Sequence, residues 1–340
     1  MSASRPRDGL VRLADVAREA GVSTATASRA LNGQSSVDPA LASRVQAAAQ
    51  ALGYRPNAVA RNLRTRNTRV WALIISDVTN PFFTSVARGV EDIARGRGYS
   101  VFLCNTDEDP QREADYLDVA QQENVAGIII SPHSAETDLS RLAEVGIPVV
   151  AIDRHVSADI DTVLVNSRDG AIVGTEHLLN SGWNRPACIT GPRDAITSVE
   201  RAEGYEAAVR RRGLEGVSQV EYEEYRIEGG RAAARRLLDA PDPPDSFLVA
   251  NAALSMGVLE EFRSRGVRPG VDVGLVSFDD APWASIVEPP LTVIAQPAYE
   301  IGSEAAGMLL AQLATGRAGS GRQLSLGTSL IVRGSSIRRQ

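Results

Sequence analysis

Leu13-Ala14-Asp15-Val16-Ala17-Arg18-Glu19-Ala20-Gly21-Val22-Ser23-Thr24-Ala25-Thr26-Ala27-Ser28-Arg29-Ala30-Leu31-Asn32 is the stretch that decides how the rest of the chain is read. Leu13, Val16, Ala17 and Ala20 recur at helical spacing and form one apolar stripe. Gly21 ends that helix, because glycine takes the left-handed conformation of a tight turn at little steric cost. Ser23 is placed to cap a second helix by accepting an amide two or three residues on. From that helix Ala27, Ala30 and Leu31 turn inward, while Thr24, Ala25, Ser28 and Arg29 face outward. Two short helices joined by a Gly-containing turn make a helix-turn-helix, whose second helix enters the DNA major groove. Two ordinary amphipathic helices of another helical domain fit the same pattern, so the remaining chain has to decide.

Charge supports the first reading. The chain has 340 residues, 43% hydrophobic and 23% charged, with a net charge of −6. That suits two or three globular domains. Residues 1–68 carry ten Arg against Asp8, Asp15, Glu19 and Asp38, a net of +6, which leaves −12 for the rest. A basic head on an acidic body suits a protein whose head alone docks on phosphates. Cys104 and Cys188 sit in apolar runs and make neither a disulfide framework nor a metal cluster. His133, His155 and His177 lack metal-ligand spacing, so no metal or cofactor is expected. Residues 1–9 contain no apolar leader core and no 18-residue apolar run follows, which predicts a cytoplasmic protein with no membrane segment.

Residues 1–10 read as a polar arm expected to be disordered. Asp38-Pro39 gives a cap with proline at the first helical position, and Leu41, Val45, Ala48, Ala49 and Leu52 stripe a third helix that Gly53 ends. The helix-turn-helix domain is thus expected over 11–56. Residues 57–68 form a basic linker, where seven residues from Asn57 to Leu63 have helical patterning but are too few for a stable helix in water.

From Val70 the pattern changes. Strand-like runs at Trp71–Ser76, Ser100–Cys104, Gly127–Ser131, Pro148–Ile152, Pro186–Thr190, Ser246–Ala250, Val273–Phe278 and Thr292–Gln296 alternate with amphipathic stretches near 82–97, 110–124, 135–145, 168–181, 198–212, 229–239, 252–265 and 298–315. A last strand is expected over Ser325–Arg333. Repeated βα units mean parallel sheets covered on both faces. The strands are too many for one open sheet, so the core (69–340) is expected to be two doubly wound parallel-sheet subdomains with a cleft between them. The ligand should sit at the carboxyl ends of the strands.

Taken together, Asp15-Val16-Ala17, Ala20-Gly21-Val22-Ser23, Thr26, Ser28-Arg29, Leu31-Asn32 and Gly53-Tyr54-Arg55-Pro56-Asn57 with Ala60 and Leu63 resemble the head and hinge of the LacI/GalR family of bacterial repressors. Further motifs continue the resemblance in order through the core: Ser76-Asp77-Val78-Thr79-Asn80-Pro81-Phe82-Phe83, Asp153-Arg154, Gly204-Tyr205, Ser277-Phe278-Asp279-Asp280, Pro289-Pro290-Leu291-Thr292 and Gln296-Pro297. It implies a periplasmic-binding-protein-like core, divided into an N-subdomain of about 69–165 and 297–324 and a C-subdomain of about 166–296 and 325–340. It also implies a homodimer on a near-palindromic double-stranded operator.

The resemblance places Thr24, Ala25 and Arg29 against base edges. Arg29 can pair bidentately with guanine, worth about 1–3 kcal/mol of discrimination. Ser23, Thr26, Ser28 and Asn32 suit phosphate contacts that set register. Asn57–Leu63 becomes a minor-groove helix in which Ala60 and Arg61 lie along the groove and Leu63 wedges between central base pairs. In the cleft the family positions fall on Asn80, Phe82, Phe83, Asp153, Arg201, Tyr225, Asn251 and Asp279. That set of carboxylates, amides, a guanidinium and aromatic faces suits a polyol such as a carbohydrate. One of the two phenylalanines is expected to serve only the core, and Trp283 could close the pocket or pack in the core.

Two departures from the family pattern bear on the ligand. Purine-binding members carry an arginine six residues before the position of Arg201, where this chain has Ala195. Many members read Asn-Asp where this chain has Asn251-Ala252. The tail of leucine heptads that makes some members tetramers is absent, which predicts a dimer. No nucleophile, phosphate loop or metal cluster accompanies the carboxylates, so no catalytic residue is assigned. The expectation is a repressor released by a sugar or sugar derivative; the alternative is a member governed by a protein partner or a corepressor.

Overall fold

The computed structural model describes residues 11–31, 37–54, 68–316 and 319–338. The chain divides into two compact units at Thr68/Arg69. The first contains α1 (Leu13–Glu19), α2 (Thr24–Leu31) and α3 (Pro39–Ala51). Their shared core is small side chains, Val16, Ala17, Ala20, Ala27, Ala30, Val45, Ala48 and Ala49. Gly21 takes φ +63° in the turn. The Ser23 hydroxyl accepts the Thr26 amide at 3.1 Å, the cap read from the sequence. Asp38 accepts the amides of Ala40 and Leu41 at 2.9 and 3.2 Å. Arg44 Nη2 donates to the Ala20 carbonyl at 2.6 Å, tying α3 to the end of α1.

The second unit holds two six-stranded sheets. The first is built from β1 (Val70–Ile75), β2 (Ser100–Asn105), β3 (Gly127–Ile130), β4 (Val149–Ile152), β5 (Asp161–Val165) and, from late in the chain, β11 (Gln323–Leu326). Its order is β11-β5-β4-β3-β1-β2, parallel throughout. Helices α4 (Pro81–Gly96), α5 (Pro110–Gln122), α6 (Ser140–Glu144) and α11 (Ala298–Thr315) accompany it. Alternate residues of β1 serve opposite faces. Trp71, Leu73 and Ile75 join α4 and α11 in one core, and Ala72 and Ile74 join α5 and α6 in another. Burial on both faces is why the strand reads as an unbroken apolar run.

The second sheet contains β6 (Pro186–Thr190), β7 (Gln219–Tyr222), β8 (Ser246–Val249), β9 (Gly274–Phe278), β10 (Thr292–Ala295) and β12 (Ser329–Ile331), with α7 (Ser167–Asn180), α8 (Ile196–Arg211), α9 (Ile227–Leu238) and α10 (Ala252–Arg265). Its order, β12-β10-β9-β8-β6-β7, matches the first position for position, except that β12 runs antiparallel to β10.

The chain passes between the sheets at Asn166, at Gln296-Pro297 and at Gly327-Thr328. The last passage lies past the expected break after residue 324, because Leu324 and Leu326 of β11 still pack on the first sheet's core. The single strand expected over Ser325–Arg333 is therefore two, one in each sheet. The stretch expected to be helical over 135–145 is helical only at Ser140–Glu144, since Ser134 and Thr137 engage in turn and side-chain bonds instead.

Helices α4 and α11 approach backbone to backbone. A Cβ on Gly302 would lie 2.1 Å from the Val86 carbonyl oxygen, and one on Gly89 2.2 Å from that of Tyr299. Gly302→Ala should therefore force the pair apart and cost about 1–3 kcal/mol or more. Urea unfolding measures this, and an unchanged midpoint would show that the helices separate freely.

Candidate effector cavity and DNA-reading face

On the head, Thr24, Ala25 and Arg29 are exposed and Thr26 and Ser28 half-buried along α2, with Ala27 and Ala30 facing inward. Ser23 is exposed, although its oxygen is engaged in the cap and lies 2.9 Å from the Thr26 hydroxyl. Asn32, Asn57, Ala60, Arg61 and Leu63 lie outside the described residues.

In the core, a cavity of roughly 470 Å³ lies between the sheets. Asn80, Phe82, Phe83, Asp153, Arg201, Tyr225, Asn251 and Asp279 all line it, as does Trp283. Eight positions spread over two hundred residues thus converge, because all but Arg201 follow a strand at its carboxyl end or begin the next helix, and Arg201 reaches in from the second turn of α8. Asp153 follows β4 and Asp279 follows β9, the matching third strands of the two sheets. Both have left-handed backbones, φ 64° and 72°, which aspartate tolerates better than most residues. The result is two buried carboxylates presented from opposite sides. Burial raises both carboxyls above the usual aspartate value, against the opposing pull of Arg154 and Arg201 on Asp153 and of Arg201 on Asp279.

Asp279 is held on both oxygens, by Gln296 Nε2 at 2.6 Å and by the Ala252 amide at 3.3 Å. The Asn251-Ala252 departure therefore leaves a backbone bond in place. Asn251 Oδ1 accepts the Leu254 amide at 2.8 Å and caps α10. Asp153 accepts no hydrogen bond among the described residues, its nearest cation being Arg154 Nε at 3.6 Å. Arg201 donates to the Ala250 carbonyl at 2.7 Å, reaches Gln296 Oε1 at 3.5 Å and stacks 4.3 Å over Phe278. Its Nε and that of Arg154 are buried donors with no hydrogen-bond partner.

Phe82 and Phe83 meet edge to face at 5.0 Å in the first turn of α4. Both rings belong to the core and both reach the cavity, which corrects the expectation that one would serve only the core. Adjacent residues of a first helical turn splay apart, and the cavity floor spans both. The Tyr225 hydroxyl is bonded to Ser198 at 2.8 Å.

Sequence reasoning missed the second arginine system. Glu108 chelates Arg154 with contacts of 2.8 and 2.6 Å, and both residues line the cavity. Burial would raise the Glu108 carboxyl, but His133 3.8 Å away and the Arg154 guanidinium hold it at about 2. The signal in the sequence is the position of Arg154 beside Asp153 in the Asp153-Arg154 motif. Gln296, also in a quoted motif, was missed too. Cys104 and Cys188 are buried free thiols, and no group among the described residues could hold a metal ion.

Comparison with known proteins follows the same division. A model of the periplasmic binding proteins and sugar binding domain of LacI family matches residues 68–328. A model of bacterial regulatory proteins, lacI family, matches residues 12–57. The Ribose operon repressor of Escherichia coli (strain K12) is 34% identical over 332 residues, 96% of this chain and 100% of that protein. The HTH-type transcriptional repressor CytR of the same organism is 31% identical, with 98% of each chain covered. Among solved structures, the lac repressor dimer bound to operator and the anti-inducer ONPF aligns at a TM-score of 0.86 and 26% identity, covering 97% of this chain and 100% of that one.

Proposed function

The chain belongs to the LacI family of bacterial regulatory proteins, and from that premise we propose that it is a cytoplasmic transcriptional repressor, a homodimer that holds a palindromic operator and releases it when a sugar binds in the cleft. The observation that carries the reading is the presence in one chain of a helix-turn-helix with an exposed Thr24, Ala25 and Arg29 face and of a cavity where Asp153 and Asp279 oppose each other. Hydroxyl groups are the natural donors to such carboxylates. Ribose or a ribosyl compound is the first candidate, since the relatives include a ribose operon repressor. The cytoplasm is assigned because the DNA partner is there.

The mechanism is a population shift. Sugar binding favours one arrangement of the subdomains, and the paired hinges around Leu63 hold DNA in the other. Coupling of about 1–3 kcal/mol between the two sites suffices for regulation. The direct base-reading set is sparse, so operator shape and the Leu63 step supply much of the specificity.

The test is operator selection from random duplexes, followed by release with a panel of sugars; heat from no sugar in calorimetry would favour control by a protein partner. Sedimentation should give a dimer. Arg29→Ala should cost about 1–3 kcal/mol and relax preference at one position of each half-site. Leu63→Ala should weaken operator binding far more than binding to random DNA. Equal loss on both would remove the wedge.

A further inference from the structure

We infer that the cleft takes an uncharged polyhydroxylated ligand and rejects the phosphorylated or carboxylated form of the same sugar. The inference rests on the effector reading above and adds the charge state of the ligand.

Charge is the first ground. The cavity wall carries Asp153 and Asp279 on the inside and Asp77, Asp107, Glu108, Glu224 and Glu228 around them, against Arg154, Arg201 and Arg226. Seven carboxylates face three guanidiniums. Two of those three cations are already engaged by the protein. Both terminal nitrogens of Arg154 are taken by Glu108, at 2.8 and 2.6 Å. Arg201 is directed to the Ala250 carbonyl and Gln296. Arg226 Nη2 lies 4.0 Å from Asp107 Oδ2.

Two of the helix N-termini at the cavity, a common kind of phosphate receptor, are capped from within, whereas those of α8 and α9 have no side-chain cap. At α4 the Asn80 side chain accepts the Phe82 amide at 3.0 Å. At α10 the Asp279 carboxylate takes the Ala252 amide at 3.3 Å and Asn251 takes that of Leu254 at 2.8 Å. At α10 an arriving phosphate would meet a carboxylate already seated.

Hydrogen-bond direction is an independent ground. Asp153 is only 9% exposed and accepts no hydrogen bond among the described residues, so the ligand must bring donors. At Asp153 a sugar hydroxyl can donate, whereas a phosphate dianion in its place has no proton to give. The ligand recognised is therefore the species that a phosphoryl-transfer step consumes, and not its product.

Matched pairs test this in calorimetry on the full chain: D-ribose with D-ribose 5-phosphate, D-glucose with D-glucose 6-phosphate, and adenosine with adenosine monophosphate. The expected result is a neutral member that binds and a phosphorylated partner weaker by at least about a hundredfold, the gap narrowing as salt screens the wall. A phosphorylated member that binds as tightly as its neutral partner would overturn the inference and leave the cleft as the effector site. Silence toward every pair would overturn the sugar reading itself, and this inference with it. The double variant Glu224→Gln/Glu228→Gln, on two exposed side chains, should shrink the discrimination severalfold; discrimination unchanged by it would overturn the electrostatic basis.

Discussion

Arg201→Ala is expected to destabilise the α/β core by about 3–5 kcal/mol near pH 8, because it leaves buried Asp279 without a cation and buried Asp153 with Arg154 alone. Arg201 is 4% exposed, and its charge bears on both Asp153 and Asp279. The loss depends on pH. Burial already holds both carboxyls above the ordinary 3.8. A carboxyl raised in the folded state contributes stability that is fully present below its unfolded value and is lost as pH rises through its folded value. Without Arg201 both rise further, so parent and variant should nearly coincide at about pH 4 and diverge upward through about pH 6 and 8. Urea unfolding at those pH values measures the gap. A gap constant with pH would assign the loss to packing over Phe278 instead of charge. The same substitution should abolish operator release at sugar concentrations that saturate the parent; normal release would remove the cavity from the mechanism.

What the sequence conveyed and what it withheld follow from the range of the interactions. The helix-turn-helix rests on signals within a few residues of each other, the Val16–Ala20 stripe, Gly21 and the Ser23 cap, so it could be read directly. The central strands could be read because both faces are buried and their composition is apolar throughout. β7 escaped because it is an edge strand, half-buried on every residue, with Glu221 turned to Arg236. β5 escaped because it opens on Asp161, whose carboxylate accepts the amides of Ser320 and Arg322 at 3.0 Å; an acid at the head of a short apolar run reads as a loop. In the cavity, motif positions located Asp153, Arg201 and Asp279. Glu108 did not declare itself. It sits in the run Asp107-Glu108-Asp109, which on composition is a solvated turn, and its partner Arg154 is 46 residues away. Only the parallel sheet, with β2 and β4 ending at the same edge, brings the two together.

Glu108→Ala should match the Arg201 variant in size, at about 3–5 kcal/mol, since the Arg154 side chain is 3% exposed and would lose both of its hydrogen-bonded carboxylate contacts, keeping only Asp153 at 3.6 Å. Its pH window is different. The Glu108 carboxyl is lowered from 4.5 to about 2. A depressed carboxyl contributes stability that is present above its unfolded value and is lost as pH falls through its folded value. The gap between parent and variant should thus be full above about pH 5, flat from there to pH 8, and should close toward pH 2. The Arg201 gap, by contrast, keeps growing above pH 4, so the two sets of unfolding curves separate the ion pairs although both line one cavity. Desolvation gives a sharper control. Replacing both partners with apolar residues, as in Glu108→Leu/Arg154→Met, leaves no stranded charge and should recover most of the stability, to within about 1–2 kcal/mol of the parent. Its sugar binding should be lost, because the cavity wall then lacks both polar side chains and the cation beside Asp153. A double variant as unstable as Glu108→Ala would mean that the left-handed turn at Asp107 and Glu108, φ 57° at each, and not the ion pair, is what the carboxylate secures.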